Sequence, residues 1–194
     1  MRRKSSTFWL VMLSSALLMA ISGQSQAQTS KTDMISLADG TTVVGKARLR
    51  RSDAGAKVTI RSTGLVAGDA YSVWWLIFNE DPNDDSVMNA TGRIADSEGN
   101  ATFNAFLPVG FIHTEPASGN LRQLFGPGLQ NVRKAEIGVV VRTHGPSTGD
   151  IEQVSTFLGD CDVNICDDVQ IAFFPMPHRD DDDDSDSDSD SDSD

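Results

Sequence analysis

The stretch Ala70–Asn79, with the sequence AYSVWWLIFN, holds ten residues without a charge, a glycine or a proline. Aromatic and branched side chains dominate it, which is the composition of a buried β-strand. In an extended chain Trp74 and Trp75 point to opposite faces, and each face also carries apolar neighbours. We therefore expect a central strand with one tryptophan in the core and the other beneath a cover on the second face.

Shorter runs of alternating apolar and polar residues lie on both sides of this stretch and are separated by turn-forming residues. The other expected strands are Thr41–Arg50, Lys57–Thr63, Val87–Ala95, Ala101–Leu107, Ala135–Thr143 and Asp168–Phe174. Val87–Ala95 and Ala101–Leu107 are expected to pair as a hairpin, and residues 28–40 to form a polar lead-in. A chain of about seven to nine strands with almost no helix predicts an all-β fold, an antiparallel β-sandwich with a β-barrel as the alternative.

Residues 108–134 contain three prolines and four glycines and no convincing strand. Long loops of this kind are usually functional or carry a short element of their own. The segment brings apolar residues, Phe111 and Phe125 among them, that need a place to bury. We expect this segment to cover the outer tryptophan.

Residues 1–27 have the three parts of a secretion signal. Arg2, Arg3 and Lys4 are followed by the uncharged apolar run Phe8–Ile21 and by small residues that end at Ala27. The alternative is a buried N-terminal helix. We expect a signal peptide, then a domain over residues 28–178 that is secreted or periplasmic. No other apolar run approaches a spanning length, so no membrane span is expected in the mature chain.

Residues 179–194 form an acidic, Ser/Asp-rich tail that is expected to be disordered, because it has no apolar residue to offset the entropy of ordering. The whole chain carries −12, and removal of the three basic signal residues leaves −15. Ten tail aspartates account for most of that, which leaves −5 elsewhere. Such a tail repels nucleic acid and anionic lipid. It either gathers divalent cations such as Ca²⁺ weakly or only keeps the protein dispersed.

A second candidate for metal binding lies just after the tryptophan strand. Asp81, Asn83 and Asp85 have the spacing of the first ligands of a calcium loop. Ser86 and Gly92 stand where that loop needs glycine and glutamate, so the match is partial. The alternative is an acidic turn in which these side chains bond their own backbone.

The two cysteines, Cys161 and Cys166, are separated by four residues. In the oxidising compartment that the signal predicts, we expect them to form a disulfide. A redox motif would have two intervening residues, and a zinc site would need more cysteine or histidine nearby.

No catalytic motif is recognisable, and the candidates for chemistry are few. If the long loop folds back, His113 and Glu115 could meet His144 at the end of a strand and form a metal or general-base site. The alternative is that these histidines lie on the surface.

A basic cluster occupies the first two expected strands: Arg48, Arg50, Arg51, Lys57 and Arg61. It is either a basic patch, for which the acidic tail is a natural intramolecular partner, or a solvated strand face.

The body also resembles a set of uncharacterised secreted bacterial proteins. The matching residues are Trp74-Trp75-x-Ile77-Phe78-Asn79, Gly92-Arg93, Gly126-Pro127-Gly128-Leu129, Ala135-Glu136, Val139-Val140-Val141-Arg142, His144-Gly145-Pro146, Ser155-Thr156-Phe157, and Cys161 with Cys166-x-Asp168-Val169-Gln170. The resemblance implies one secreted domain to which the acidic tail is an addition, and it implies no activity or cofactor.

These features favour an exported, non-catalytic binding protein or a component of the envelope or matrix. Its unknown extracellular or periplasmic ligand would meet Trp74, Trp75, His113, Glu115 and His144. The alternative is an exported metal-dependent enzyme that uses His113, Glu115 and His144.

Overall fold

The structure is a computed structural model that describes residues 27–110, 124–154 and 166–177. Nine strands follow one another in these residues. They are β1 Gln28–Ser36, β2 Val43–Ser52, β3 Gly55–Ser62, β4 Asp69–Phe78, β5 Ser86–Ile94, β6 Ala101–Pro108, β7 Leu124–Phe125, β8 Glu136–Pro146 and β9 Asp168–Phe174. The helical elements of the described chain are two 3₁₀ turns, Pro82–Asp84 and Ile151–Val154.

All nine strands belong to one antiparallel sheet in the order β6-β3-β2-β1-β9-β8-β4-β5-β7. The sheet curls until β5 and β6 come into contact without joining the hydrogen-bond ladder. The all-β prediction is confirmed. Of the two expected architectures, the nearly closed sheet is barrel-like, and one curled sheet supplies both walls of the core.

β4 is central, between β5 and β8, as its composition predicts. Trp75 is fully buried inside the barrel and pairs with Val139 of β8. Trp74 pairs with Val140 and lies on the outer face, where it is only 1% exposed. The two indoles therefore occupy opposite faces of the sheet, in agreement with the sequence prediction.

The expected β5–β6 hairpin is wrong. The turn between the strands does form, since Asp96 Oδ1 accepts the backbone N–H groups of Glu98 and Asn100 at 2.9 and 2.8 Å. The two strands nevertheless pair elsewhere, β5 with β4 and β6 with β3. They are the two sides of the barrel seam, because turn chemistry is local whereas strand pairing depends on the whole closure.

The polar lead-in expected over residues 28–40 is also wrong, because most of it is β1. β1 pairs with β2 along its length and with β9 at Ile35 and Ser36. Met34 is its one fully buried side chain and points into the barrel. A strand with so little apolar character forms because it closes the gap between two strands that are already half-buried.

Arg51 closes one end of the barrel, and it was wrongly assigned to the basic surface cluster. Its side chain is 2% exposed, and it donates to four backbone carbonyls. Nε reaches Val132 O at 3.1 Å, and Nη2 reaches Ala135 O, Phe174 O and Pro175 O at 3.2, 3.2 and 3.1 Å. Burial lowers the pKa of this guanidinium. The residue ties the end of β2 to the chain before β8 and after β9.

Replacing Arg51 by methionine keeps much of the side-chain volume and removes Nε and Nη2, the donors of all four contacts. We expect Arg51→Met to lower the free energy of unfolding by about 3–5 kcal/mol, because buried carbonyls lose charged donors. Urea denaturation followed by circular dichroism measures the change. Arg50→Met is the matched control on the exposed neighbour and should change stability by less than about 0.5 kcal/mol. Equal losses in both variants would contradict the closing role of Arg51.

At the opposite end, Asp39 organises the β1–β2 turn. Its Oδ1 accepts the N–H groups of Thr41 and Thr42 at 3.0 Å each, and its Oδ2 accepts the Thr42 hydroxyl. The hydrogen bond from the Thr42 side chain, followed by those from the Thr42 and Thr41 backbones, lowers the pKa of Asp39 to about 2.

A carboxyl with a lowered pKa stabilises the fold above its ordinary pKa, and this contribution is lost as the pH falls towards the folded value. We therefore expect Asp39→Asn to lower the melting temperature at pH 6, and the difference from wild type to shrink between about pH 4 and 2. Calorimetric scans across that range measure it. A difference that stays constant with pH would show that the charge on Asp39 is not responsible.

Candidate functional site

Four side chains form a polar group on the outer face of β4 and β8, here called the outer cluster: the buried Ser72, Trp74 and His144 and the half-buried Cys166. Trp74 Nε1 donates to Ser72 Oγ at 2.8 Å, and Ser72 Oγ lies 2.7 Å from His144 Nε2. His144 Nδ1 lies 3.4 Å from the Cys166 sulfur. Strand geometry explains the grouping, because Ser72 and Trp74 are two residues apart on one face and β8 continues past the expected break to carry His144.

The direction of the Trp74–Ser72 hydrogen bond follows from the chemistry of the groups. An indole N–H can only donate, so Ser72 Oγ is the acceptor from Trp74. Ser72 Oγ keeps its own proton and a second lone pair, so the direction of its bond with His144 Nε2 is set by the tautomer of the imidazole. Ser72 is fully buried and His144 is 2% exposed, so this network replaces contacts with water.

The 3₁₀ turn Ile151–Val154 lies over this part of the sheet and is held on both sides. Gln153 Nε2 donates to the carbonyls of His144 at 3.3 Å and Pro146 at 2.8 Å. On the other side, a Cβ on Gly92 would stand 2.3 Å from Val154 Cβ. Glycine at position 92 therefore lets the turn sit directly on β5.

The cover expected for Trp74 was the segment with Phe111 and Phe125. Phe125 is 55% exposed, because the two-residue strand β7 pairs with the edge of β5 and leaves that ring in solvent. Its neighbour Leu129 does bury, but in the barrel core. Phe111 lies outside the described residues. The prediction is therefore wrong for Phe125. Among the described residues, the turn Ile151–Val154 packs against β4 and β5.

Ser72 and His144 have the spacing of a nucleophile and its base, but their burial leaves no room for a substrate. Both nitrogens of His144 already face a partner, Ser72 or Cys166, so a metal ion would have to displace one of them. His113 and Glu115 lie outside the described residues. The outer cluster therefore acts as a structural network in this conformation. Trp74 and Trp75, expected to meet a ligand, are likewise buried.

Asp81 and Asp85 flank the 3₁₀ turn Pro82–Asp84, and Asn83 lies within it. Asp81 Oδ1 accepts from the backbone and side-chain nitrogens of Asn83 at 2.9 and 2.8 Å, and Asp85 Oδ1 accepts from the N–H of Asn79 at 3.2 Å. This is the arrangement of an acidic turn. No group of three or more metal-ligating His, Cys, Asp or Glu side chains occurs in the described part of the chain. Calcium binding here remains a prediction.

Cys166 precedes β9 and is not a free thiol. Cys161 lies outside the described residues, so the Cys161–Cys166 bridge remains a prediction. The signal segment and the acidic tail also lie outside the described ranges, as does His178. Among the described residues no helix is both long and apolar enough to cross a membrane.

A cavity of about 700 Å³, here called the mouth cavity, opens at the end of the barrel opposite Arg51. The β1–β2 turn, the β3–β4 connection, the end of β8 and the start of β9 surround it. Its apolar lining comes from Leu37, Val44, Leu65, Val66, Tyr71, Pro146 and Val169. Leu37 and Val66 are 41% and 62% exposed, so the opening presents apolar surface to solvent.

The polar lining of the mouth cavity includes one buried amide, that of Gln170, and three aspartates. Gln170 lines it and is 3% exposed; its Nε2 donates to Thr63 O at 2.9 Å, and its Oε1 has no hydrogen-bond partner. Asp69, Asp167 and Asp168 also line it, and Asp168 pairs with Arg142 at 2.7 Å. Sequence reasoning missed this cavity, because its residues come from four separate parts of the chain. A polar Gln170 within an apolar strand was the one available signal.

The outer cluster provides a direct test of its structural role. Ser72→Ala leaves Trp74 Nε1 and His144 Nε2 facing a methyl group in a buried place. We therefore expect the free energy of unfolding to fall by about 2–4 kcal/mol. Chemical denaturation measures this loss, and Ser97→Ala on an exposed turn is the control. If the two variants unfold at the same denaturant concentration, the network contributes nothing.

Comparison with known proteins leaves the chain without an assigned relative. No protein-family model matches it, and no curated protein is detectably similar to it. The resemblance to secreted bacterial proteins therefore remains a prediction, and any assignment of function rests on the geometry above.

Proposed function

We propose that this protein is an exported, non-catalytic binding protein that holds a small, mainly apolar ligand in the mouth cavity. The observation that carries the proposal is the cavity itself. Its volume of about 700 Å³ lies within the range of small-molecule pockets. Ligand sites are common at the mouths of β-barrels, since the sheet provides a rigid wall while the loops provide specificity.

The two ends of the barrel support this assignment by their difference. At one end Arg51 fills the opening and bonds four carbonyls. At the other end Leu37 and Val66 stay exposed around an open cavity. Exposed apolar side chains that surround a concave surface are typical of a binding site, because a ligand buries them.

The charges around the cavity select the polar end of the ligand. Asp69, Asp167 and Asp168 line the opening, and Arg142 neutralises one of them. A carboxylate ligand would meet like charge there, whereas an amine or a hydroxyl group would meet acceptors. The ligand is therefore apolar with a neutral or cationic polar end. Export and cation binding by the acidic tail belong to the same proposal and rest on the sequence pattern.

Nile red, a neutral dye that brightens in apolar surroundings, is a suitable probe. We expect saturable binding to the wild-type chain, and binding at least about tenfold weaker to Val66→Glu, because the new carboxylate stands in the apolar wall. Fluorescence titration gives both dissociation constants. Octylamine should displace the dye at lower concentration than octanoate does.

Met176→Glu is the control, because Met176 is a similarly exposed apolar residue, 54% accessible, near the end closed by Arg51. It should bind the dye as the wild type does. Failure of the wild-type chain to bind the dye, or equal affinities in both glutamate variants, would overturn the assignment of the site. Preferential displacement by octanoate would overturn the assigned ligand class.

A further inference from the structure

The outer surface of β1, β2 and β3 carries six exposed cationic side chains, here called the basic face. They are Lys31, Lys46, Arg48, Arg50, Lys57 and Arg61. Four of the five basic residues expected from the sequence are on this face, and Lys31 and Lys46 join them at neighbouring register positions. The fifth, Arg51, points inward. Half of the basic residues between positions 28 and 178 are thus on this one surface.

Strand register brings these charges close together. Arg48 faces Lys31 on β1, Arg50 faces Lys57 on β3, and Lys46 faces Arg61 on β3. Paired strands lie about 5 Å apart, so like charges adjoin across the sheet. Directly opposed like charges destabilise a sheet unless something neutralises them.

Little on the described surface neutralises this charge. Lys46 pairs with Asp33, and it is the one member of the basic face that has a described carboxylate within 4 Å. β6, the next strand beyond β3, presents Thr102, Asn104 and Phe106 at the facing positions. The face therefore needs an anionic partner, and the rest of the chain supplies one.

The last residues described before the acidic tail lie beside the end of β2. Arg51 donates to Phe174 O and Pro175 O, which fixes the chain end of β9 against the end of β2. Arg50, the adjacent residue, is the nearest member of the basic face along that strand. The tail starts five residues after Pro175 and carries ten aspartates against six cations.

Reach and concentration both favour docking within the chain. Residues 178–194 can extend about 55 Å, whereas the basic face is one to three strand spacings from β9, or about 5–15 Å. A tether this short gives an effective concentration in the millimolar range. Because the charges are exposed, attraction is screened over about 8 Å at physiological salt.

We infer that the acidic tail docks on the basic face of its own chain and shields that face from other polyanions. The contact is a multivalent, salt-sensitive attachment of many weak ion pairs, each of which contributes little alone. The proposal does not rest on the mouth cavity, whose wall begins at Val44, two residues before Lys46 on β2.

Carbodiimide coupling of carboxylates to lysines tests this contact in the mature chain of residues 28–194. That chain has four lysines, of which Lys31, Lys46 and Lys57 are on the basic face and Lys134 is not. Lys134 is a demanding control, since it adjoins Ala135, whose carbonyl Arg51 binds. Mass spectrometry should find at least about fivefold more tail links to the three face lysines than to Lys134 at low salt.

The preference should disappear at about 0.5 M salt and in the variant Arg48→Glu/Arg50→Glu. Arg93→Glu, a charge reversal on β5, should leave it unchanged. Links spread evenly over the four lysines, or a pattern indifferent to salt, would overturn the inference.

A second measurement addresses shielding. Fluorescein-labelled deca-aspartate should bind at least about tenfold more tightly to a chain whose ten tail aspartates are replaced by asparagine than to the wild type at low salt. Equal affinities would show that the face is open to external polyanions and would overturn the proposal. Nile red binding should be the same in both chains, which separates this result from that for the mouth cavity.

Discussion

β4 is apolar on both faces, and the rest of the molecule is arranged to bury both. Inside, Trp75 needs a closed layer of side chains, which one sheet provides by curling round on itself. Outside, Ser72 accepts the indole N–H of Trp74, and the turn Ile151–Val154 packs against β4 and β5. Because β4 pairs with β8 on one side and β5 on the other, neither tryptophan can be exposed without disturbing those two strands.

Curling the sheet creates two barrel ends, of which one is closed by a side chain and the other is open. Side chains from the walls fill the middle of a small barrel, but the ends depend on loops. One end is closed by a guanidinium on four carbonyls, an arrangement that needs Arg51 to point inward. The other end stays open because the turns around it carry Leu37 and Val66 outward rather than over the core. The open end is therefore where a ligand has access.

The sequence was sufficient to predict strands and their buried faces wherever the pattern lies within one strand. Two-sided apolarity identified β4 as central, and alternation located the strand Lys57–Thr63, in which Val58 and Ile60 are buried. The neighbouring Arg50 and Arg51 were assigned to one surface, although adjacent residues of a strand must face opposite ways.

Signals that depend on closure could not be read from the sequence. β1 forms because β2 and β9 leave a gap, and β5 and β6 separate because they meet at the seam. The mouth cavity shows the same limitation, since Gln170 gains its position only when four distant segments converge. The outer cluster is intermediate: the spacing of Ser72 and Trp74 is visible in the sequence, but the approach of His144 depends on β4–β8 register.

The distribution of charge follows from the same geometry. The chain is acidic overall, yet the strands farthest from β4 on one side gather six cations on their outer face. The carboxylates of the mouth cavity lie at the start of β4 and β9. They are at the opposite end of the barrel from Pro175, after which the chain continues to the acidic tail. Val44 lies in the cavity wall, and Arg51 binds the Pro175 carbonyl. The two residues are seven positions apart on β2, about 23 Å in an extended strand. That separation is about three screening lengths, so a cationic ligand at the mouth does not interact directly with the chain at Pro175, although Lys46 brings the basic face within two residues of Val44.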